Sequence, residues 1–368
     1  MRVLLTGGGT GGHLYPAMAI ARALQMIRPD IEAMFVGAKR GIEQRVLPES
    51  EFPHLLLELH PLYRAQPWRN WRTVAGLASA MRVLDRALGN APPVLAIGTG
   101  GYASAATLAW CLRRRIPYAL QEQNSFPGQT TRLFSRWARA IYLGFPEAAA
   151  RLPSAAIGRT LTTGNPVLPP PEPRPSRAEA RRQWGFDGQG GAVLLVFGGS
   201  QGSAALNAMM DGWISSGLPD DVLVIWATGP AHYDRYAARA SSRVVVRPYL
   251  SPIADAYAAA DLALTRAGAM TTAELCAWGI PALLVPLPTA AADHQTANAR
   301  SLADAGAARW IPEREATPAR VAQEVLSLLR DRPALEALAA AARARARPDA
   351  ARAIATHLVS LLDREVGR

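Results

Sequence analysis

Val3-Leu4-Leu5-Thr6-Gly7-Gly8-Gly9-Thr10-Gly11-Gly12-His13 decides how the chain is read. A short Val/Leu run ends in a glycine turn, and an apolar helical pattern follows from Tyr15 to Ile27. Strand, glycine loop and helix form the opening unit of a doubly wound α/β sheet, whose loop lets backbone amides approach a diphosphate or sugar at a positive helix end. Gly7 to Gly12 contains G-x-G-x-x-G, but a dinucleotide site also needs an acidic residue about 20 positions on, ending the second strand. That strand ends Phe35-Val36-Gly37-Ala38-Lys39, so an NAD enzyme is disfavoured.

Working outward, short Val/Ile/Leu runs alternate with helical patterns, the signature of parallel sheets wrapped by helices. One series places strands at Val3–Thr6, Ala33–Val36, Val94–Ile97, Tyr118–Gln121 and Ala140–Leu143. A second places them at Ala192–Phe197, Val222–Trp226, Val244–Val246, Leu262–Leu264 and Ala282–Val285. Between the two, residues 165–175 carry a proline cluster that forbids helix and central strand alike. The 368 residues exceed what one core usually organises. We therefore expect an N-terminal domain over 1–163, a C-terminal domain over 164–345, and a last helix over 346–368 that packs back on the N-terminal domain.

Composition excludes several classes. Charged residues make up 19% and hydrophobic residues 49%, which fits a folded chain rather than a disordered one. The net charge of +11 is almost all arginine, because Lys39 is the only lysine. Lys39 follows Gly37-Ala38 and suits neither a Walker loop nor a Schiff base. The basic balance favours acidic partners, yet the arginines are dispersed and no nucleic-acid-binding pattern accompanies them. We expect no nucleic acid partner. Cys111 and Cys276 sit apart in apolar stretches and read as small buried hydrophobes. No signal-peptide pattern and no run near the ~20 apolar residues of a spanning helix appears, so a cytoplasmic location is expected.

Further candidate loops follow the other strands. His13 ends the first loop at a helix start, where an imidazole faces the crevice above the strand ends; the adjoining glycines favour a catalytic over a structural histidine. Gly100, Gly101 and Tyr102 follow the third strand, and Gln121-Glu122-Gln123-Asn124 the fourth. Ligands of open α/β sheets bind along this carboxyl edge. In the second half, Gly198-Gly199-Ser200-Gln201-Gly202 opens a helix and suits a diphosphate. Arg266 to Glu274 follows a strand and places Glu274 about a turn into a helix, where a carboxylate takes both ribose hydroxyls. Asp293-His294-Gln295-Thr296-Ala297-Asn298 presents polar heads suited to sugar hydroxyls.

Taken with Gly164-Asn165-Pro166, these segments resemble in order and spacing, over almost the whole chain, the MurG family, UDP-N-acetylglucosamine transferases of peptidoglycan synthesis. The resemblance implies a GT-B architecture, two Rossmann-like doubly wound domains facing a central cleft. It implies inverting transfer of GlcNAc from UDP-GlcNAc to the C4 hydroxyl of MurNAc in undecaprenyl-pyrophosphoryl-MurNAc-pentapeptide (lipid I), giving lipid II. By position, the Leu250 backbone would meet uracil, Glu274 the ribose, and Ser200 and Gln201 the diphosphate region. Ala269, Met270 and Thr271 would give amides to the pyrophosphate, and His294 and Gln295 would address GlcNAc. Thr10, Gly11, Gly12, Gly100, Gly101, Tyr102 and Asn124 would line the acceptor side, with His13 the first choice of general base and Glu122 the second. No cofactor or metal is expected, since helix-terminal amides stabilise the leaving UDP.

Two departures stand out: Leu168 replaces an arginine common after Asn-Pro-Val, and Gln121 replaces a histidine. The first puts in doubt a cationic contribution near the donor phosphates, for which Arg266 is a substitute; the second removes a competing base. The lipid acceptor implies peripheral docking on the cytoplasmic face of the membrane, with cell-wall synthesis or division proteins as partners. Residues 62–72, which mix tryptophan with arginine, suit an interfacial anchor on anionic lipid or equally a core helix with a basic edge. Rival readings are another GT-B enzyme, such as a glycolipid glycosyltransferase or a hydrolysing UDP-GlcNAc 2-epimerase, and a silent nucleotide-sugar sensor.

Overall fold

The computed structural model describes residues 1–60, 68 and 70–366, and the side chains of all of these except 70, 72, 74 and 366. It divides into two units, Met1–Val167 with Pro348–Arg368, and Leu168–Arg347.

The first unit holds strands β1 (Arg2–Gly7), β2 (Glu32–Ala38), β3 (His54–Leu57), β4 (Leu95–Gly100), β5 (Tyr118–Glu122), β6 (Ile141–Leu143) and β7 (Thr160–Thr162). They form one parallel sheet in the order β3-β2-β1-β4-β5-β6-β7. Alternation along the central strands feeds two layers. Val3, Leu5, Phe35 and Ile97 pack with helix Gly11–Ile27 and with the last helix, Ala350–Val366. Leu4, Val36, Ala96 and Leu120 face the opposite layer, built by helices Asn70–Leu88 and Gly101–Arg114. Because both faces are covered, the central strands are continuously apolar.

The last helix contributes Ile354, Ala355, Leu358, Leu361 and Leu362 to this core. Polar ties lock it further: the Tyr142 hydroxyl lies 2.8 Å from His357 Nδ1, Arg28 reaches Asp363 at 3.0 Å, and Arg139 reaches Glu365 at 3.1 Å.

The second unit holds β8 (Ala192–Phe197), β9 (Val222–Ala227), β10 (Val244–Arg247), β11 (Leu262–Thr265), β12 (Ala282–Leu284) and β13 (Arg309–Trp310), parallel in the order β10-β9-β8-β11-β12-β13. Leu194, Val196, Val224, Trp226 and Leu264 pack against Leu206, Met210 and Trp213 of helix Ala204–Gly217 and Val321, Val325 and Leu328 of helix Pro318–Arg330. The α/β, doubly wound character expected for each half is therefore observed. Strands β3, β7 and β13 were not foreseen; each lies at a sheet edge, where a short strand needs no continuous apolar run. Cys111 and Cys276 are both buried, and burial pushes their thiols up to about 12 and about 11.

Candidate active site

In the N-terminal unit, the helix after β1 begins at Gly11, four residues before the apolar pattern becomes visible, because glycine is a poor helix former. His13 thus stands in the first helical turn, half-buried. Its Nδ1 lies 2.9 Å from the Thr99 carbonyl oxygen and 2.8 Å from Gln123 Oε1. A backbone carbonyl only accepts, so Nδ1 carries the hydrogen and the neutral ring presents a lone pair at Nε2. Thr99 Oγ1 returns a bond to the His13 carbonyl at 2.8 Å, and Gln123 Nε2 donates to the Thr99 carbonyl at 2.7 Å. The imidazole is held at Nδ1 by both neighbours.

Thr10, Gly11 and Gly12 form the entry to the same helix, and the Gly11 and Gly12 amides precede the first intrahelical bonds, which His13 and Leu14 make to the Thr10 carbonyl. Gly100 and Gly101 have φ of 104° and 81°. A Cβ on Gly101 would fall 2.2 Å from the Gly8 carbonyl oxygen, so only glycine lets the two turns touch. Tyr102 donates to the Arg40 carbonyl at 2.8 Å, and burial, reinforced by the Glu43 carboxylate, raises its hydroxyl pKa.

Glu122 is 3% exposed. Its Oε1 accepts from the Asn124 amide at 3.0 Å and Asn124 Nδ2 at 3.3 Å, and its Oε2 from the Gly128 amide at 3.0 Å and Thr131 Oγ1 at 2.5 Å. Gln121 is fully buried, donates to Asn165 Oδ1 at 3.1 Å and accepts from Gln123 Nε2. That position is therefore interior, whichever residue type fills it. Asn165 Nδ2 closes the network on the Gln123 carbonyl at 2.9 Å.

In the C-terminal unit, Ser200 and Gln201 are exposed on the turn after β8, and Ser203 caps the following helix. Leu250 has a buried side chain in the segment between β10 and helix Ile253–Ala259. Ala269, Met270 and Thr271 are the first three residues of helix Ala269–Trp278, whose first amides have no carbonyl of their own helix to meet. Glu274 lies further along that helix and accepts from the Tyr257 hydroxyl at 2.7 Å. Burial raises the Glu274 carboxyl above its ordinary 4.5, and the Tyr257 bond opposes the rise.

His294 opens helix His294–Asp304, with Nδ1 2.6 Å from the Ala291 carbonyl oxygen; Gln295 Oε1 accepts from the Leu287 amide at 2.9 Å. The turn before them holds Ala292 and Asp293 at φ 53°, a left-handed conformation uncommon outside glycine and concentrated at ligand sites. Arg266 is turned inward, 7% exposed. It donates to Ser203 Oγ at 3.0 Å and the Val285 carbonyl at 3.0 Å, and lies 2.5 Å from Glu313 Oε2. Leu168 is 82% exposed.

Thr99 and Gln123 contact His13, and Tyr257 contacts Glu274, but none of the three had been given a role from sequence. Gln123 lay inside the Gln121 to Asn124 motif and Thr99 inside the glycine turn Gly98 to Tyr102, whereas nothing near Tyr257 marks its partner.

Of the anchor segment expected over 62–72, residues 62–67 and 69 lie outside the described residues. Trp68 and Trp71 are 72% and 64% exposed, and the helix from Asn70 buries Ala80, Leu84 and Leu88 while exposing Leu77, Arg82 and Arg86. Among the described residues no helix is long and apolar enough to cross a membrane.

Residues 3–143 match the family model of the glycosyltransferase family 28 N-terminal domain, and residues 193–354 that of the family 28 C-terminal domain. A UDP-N-acetylglucosamine–N-acetylmuramyl-(pentapeptide) pyrophosphoryl-undecaprenol N-acetylglucosamine transferase of Salinibacter ruber is 40% identical, covering 98% of this chain and 97% of its own. One of the same name from Moorella thermoacetica is 39% identical over 96% and 97%. The crystal structure of Acinetobacter baumannii MurG superposes with a TM-score of 0.76 at 28% identity, covering 99% of both chains.

Proposed function

We infer the reaction from one premise: the chain belongs to glycosyltransferase family 28, and within it to the MurG family. It is a UDP-GlcNAc-dependent N-acetylglucosaminyltransferase with the GT-B fold. It moves GlcNAc from UDP-GlcNAc onto the C4 hydroxyl of MurNAc in lipid I. The sugar C1–O bond to UDP breaks, a C1–O4 bond forms with inversion, and the acceptor proton leaves to a base.

His13 is that base, and its clamped tautomer is the observation that carries the reading: with Nδ1 donating to the Thr99 carbonyl, Nε2 is the atom left to take the proton. Glu122, saturated by four donors, suits a positioning role for the 124–131 segment better than proton transfer. Thr10, Gly11, Gly12, Gly100, Gly101, Tyr102 and Asn124 line the acceptor side of the N-terminal unit. The C-terminal unit takes the donor, with Leu250 at the uracil, Glu274 at the ribose, and Ser200, Gln201, Ala269, Met270 and Thr271 at the diphosphate. His294 and Gln295 take the GlcNAc. The Ala269–Trp278 helix end supplies positive potential to departing UDP, so transfer needs no metal.

The acceptor's lipid brings the enzyme to the cytoplasmic face of the membrane, where the exposed Trp68, Trp71, Arg82 and Arg86 suit an anionic surface. Wall-synthesis or division proteins are then its neighbours. The decisive assay is UDP release from UDP-GlcNAc with and without a lipid I analogue, in chelator. Acceptor-dependent release is expected; its absence overturns the function, and its loss only in chelator overturns the metal-free step.

A further inference from the structure

The glycine turns of the N-terminal unit are built around a carboxylate that the transfer step does not use. Glu43 is fully buried and follows the turn after β2. Its Oε1 accepts from the Gly9 amide at 2.9 Å and the Ala38 amide at 3.4 Å, while Oε2 has no hydrogen-bond partner among the described residues. The surrounding glycines leave room for this side chain. A Cβ on Gly8 would lie 1.6 Å from Glu43 Oε1, one on Gly41 2.6 Å from Oε2, and one on Gly37 3.1 Å from the Glu43 Cβ. A carboxylate is costly to bury, and here it is kept between two turns with amides on one oxygen only.

The division of labour in the first loop follows. The Gly9 amide is spent on Glu43 and is withheld from a ligand, whereas Gly11 and Gly12, half-buried and exposed, open the helix with amides that no described residue takes. Tyr102, bonded to the Arg40 carbonyl, ties the turn that carries Glu43 to the second glycine turn.

We propose that Glu43 is a positioning residue for the acceptor. By fastening the Gly9 amide it holds the loop in the one conformation that presents the Gly11 and Gly12 amides to the acceptor's diphosphate. This rests on the transfer reading above. Removing the anchoring oxygen should therefore weaken acceptor binding, whereas an amide that keeps that oxygen should not.

The test is steady-state kinetics with a short-chain prenyl-pyrophosphoryl-MurNAc-pentapeptide as acceptor. Glu43→Ala is expected to raise the acceptor KM by about tenfold while donor KM and UDP affinity stay within about twofold. Glu43→Gln keeps an acceptor oxygen for the Gly9 amide, and should return the acceptor KM to the wild-type value. Should Glu43→Ala not fold, Gly37→Ala, which presses on the Glu43 side chain from outside the loop, should raise the acceptor KM in the same selective way. An unmoved acceptor KM, or donor and acceptor KM rising together, overturns the proposal while leaving the transfer reading intact. A wild-type enzyme without acceptor-dependent UDP release overturns the transfer reading itself.

Discussion

His13 shows how far a single residue could be read in advance. Its place beside glycines was legible, but its tautomer was not, because the Thr99 carbonyl and Gln123 amide that clamp it come from distant strand ends. His13→Ala is expected to lower kcat by about 10²- to 10⁴-fold, the usual worth of a general base, with UDP affinity in calorimetry unchanged. Near-normal turnover would dismiss the assignment. Glu274 was legible as a helix acid, whereas its partner Tyr257 was not, since nothing local in sequence couples the two. Burial holds the Glu274 carboxyl pKa above its unfolded value, so the folded protein binds this proton more tightly. The group's stabilising contribution is present below the ordinary 4.5 and is lost as pH rises through the raised pKa. Ribose hydroxyls need the ionised form, so UDP affinity should climb over that same window and then level off. Glu274→Gln should bind UDP more weakly at neutral pH and without that climb; a wild-type-like climb in the variant would exclude Glu274 as its source.

Among elements, the central strands were readable because burial on both faces leaves an uninterrupted apolar run, as in Leu194 to Phe197. The edge strands escaped because β13 needs only Arg309 and Trp310. The start of helix Gly11–Ile27 was hidden by its own glycines, and Glu43 by its short helix; the one available signal was an acid flanked by Gly37 and Gly41. Residues 68–72, at and before the start of the helix from Asn70, carry the membrane prediction. Replacing Arg69 and Arg72 with Ala should weaken binding to anionic vesicles, each arginine near the surface being worth about 1 kcal/mol. Trp68→Ala with Trp71→Ala should do likewise in a flotation assay, while both variants still turn over a soluble acceptor. Unchanged vesicle binding would reject this element as the anchor.

On the scale of the whole chain, two strand series separated by a proline-rich stretch were enough to announce two sheets. The first unit's core is completed from residues 350–366, within the segment expected from sequence to form a last helix. Ending the chain after Arg347 removes Ile354, Leu358 and Leu362, all buried to within 1% of full exclusion. At about 1.5–3 kcal/mol per buried side chain, this rivals the stability of a typical domain. In scanning calorimetry the truncated protein should lose the transition of the N-terminal unit and keep that of the C-terminal unit; two intact transitions would contradict this account. The same discontinuity sets an order of assembly. During synthesis every residue of the second unit emerges before the helix that seals the first, so the half translated later is the one able to finish first. Until that helix arrives, the layer it shares with helix Gly11–Ile27, the helix that carries His13, lacks Ile354, Leu358 and Leu362.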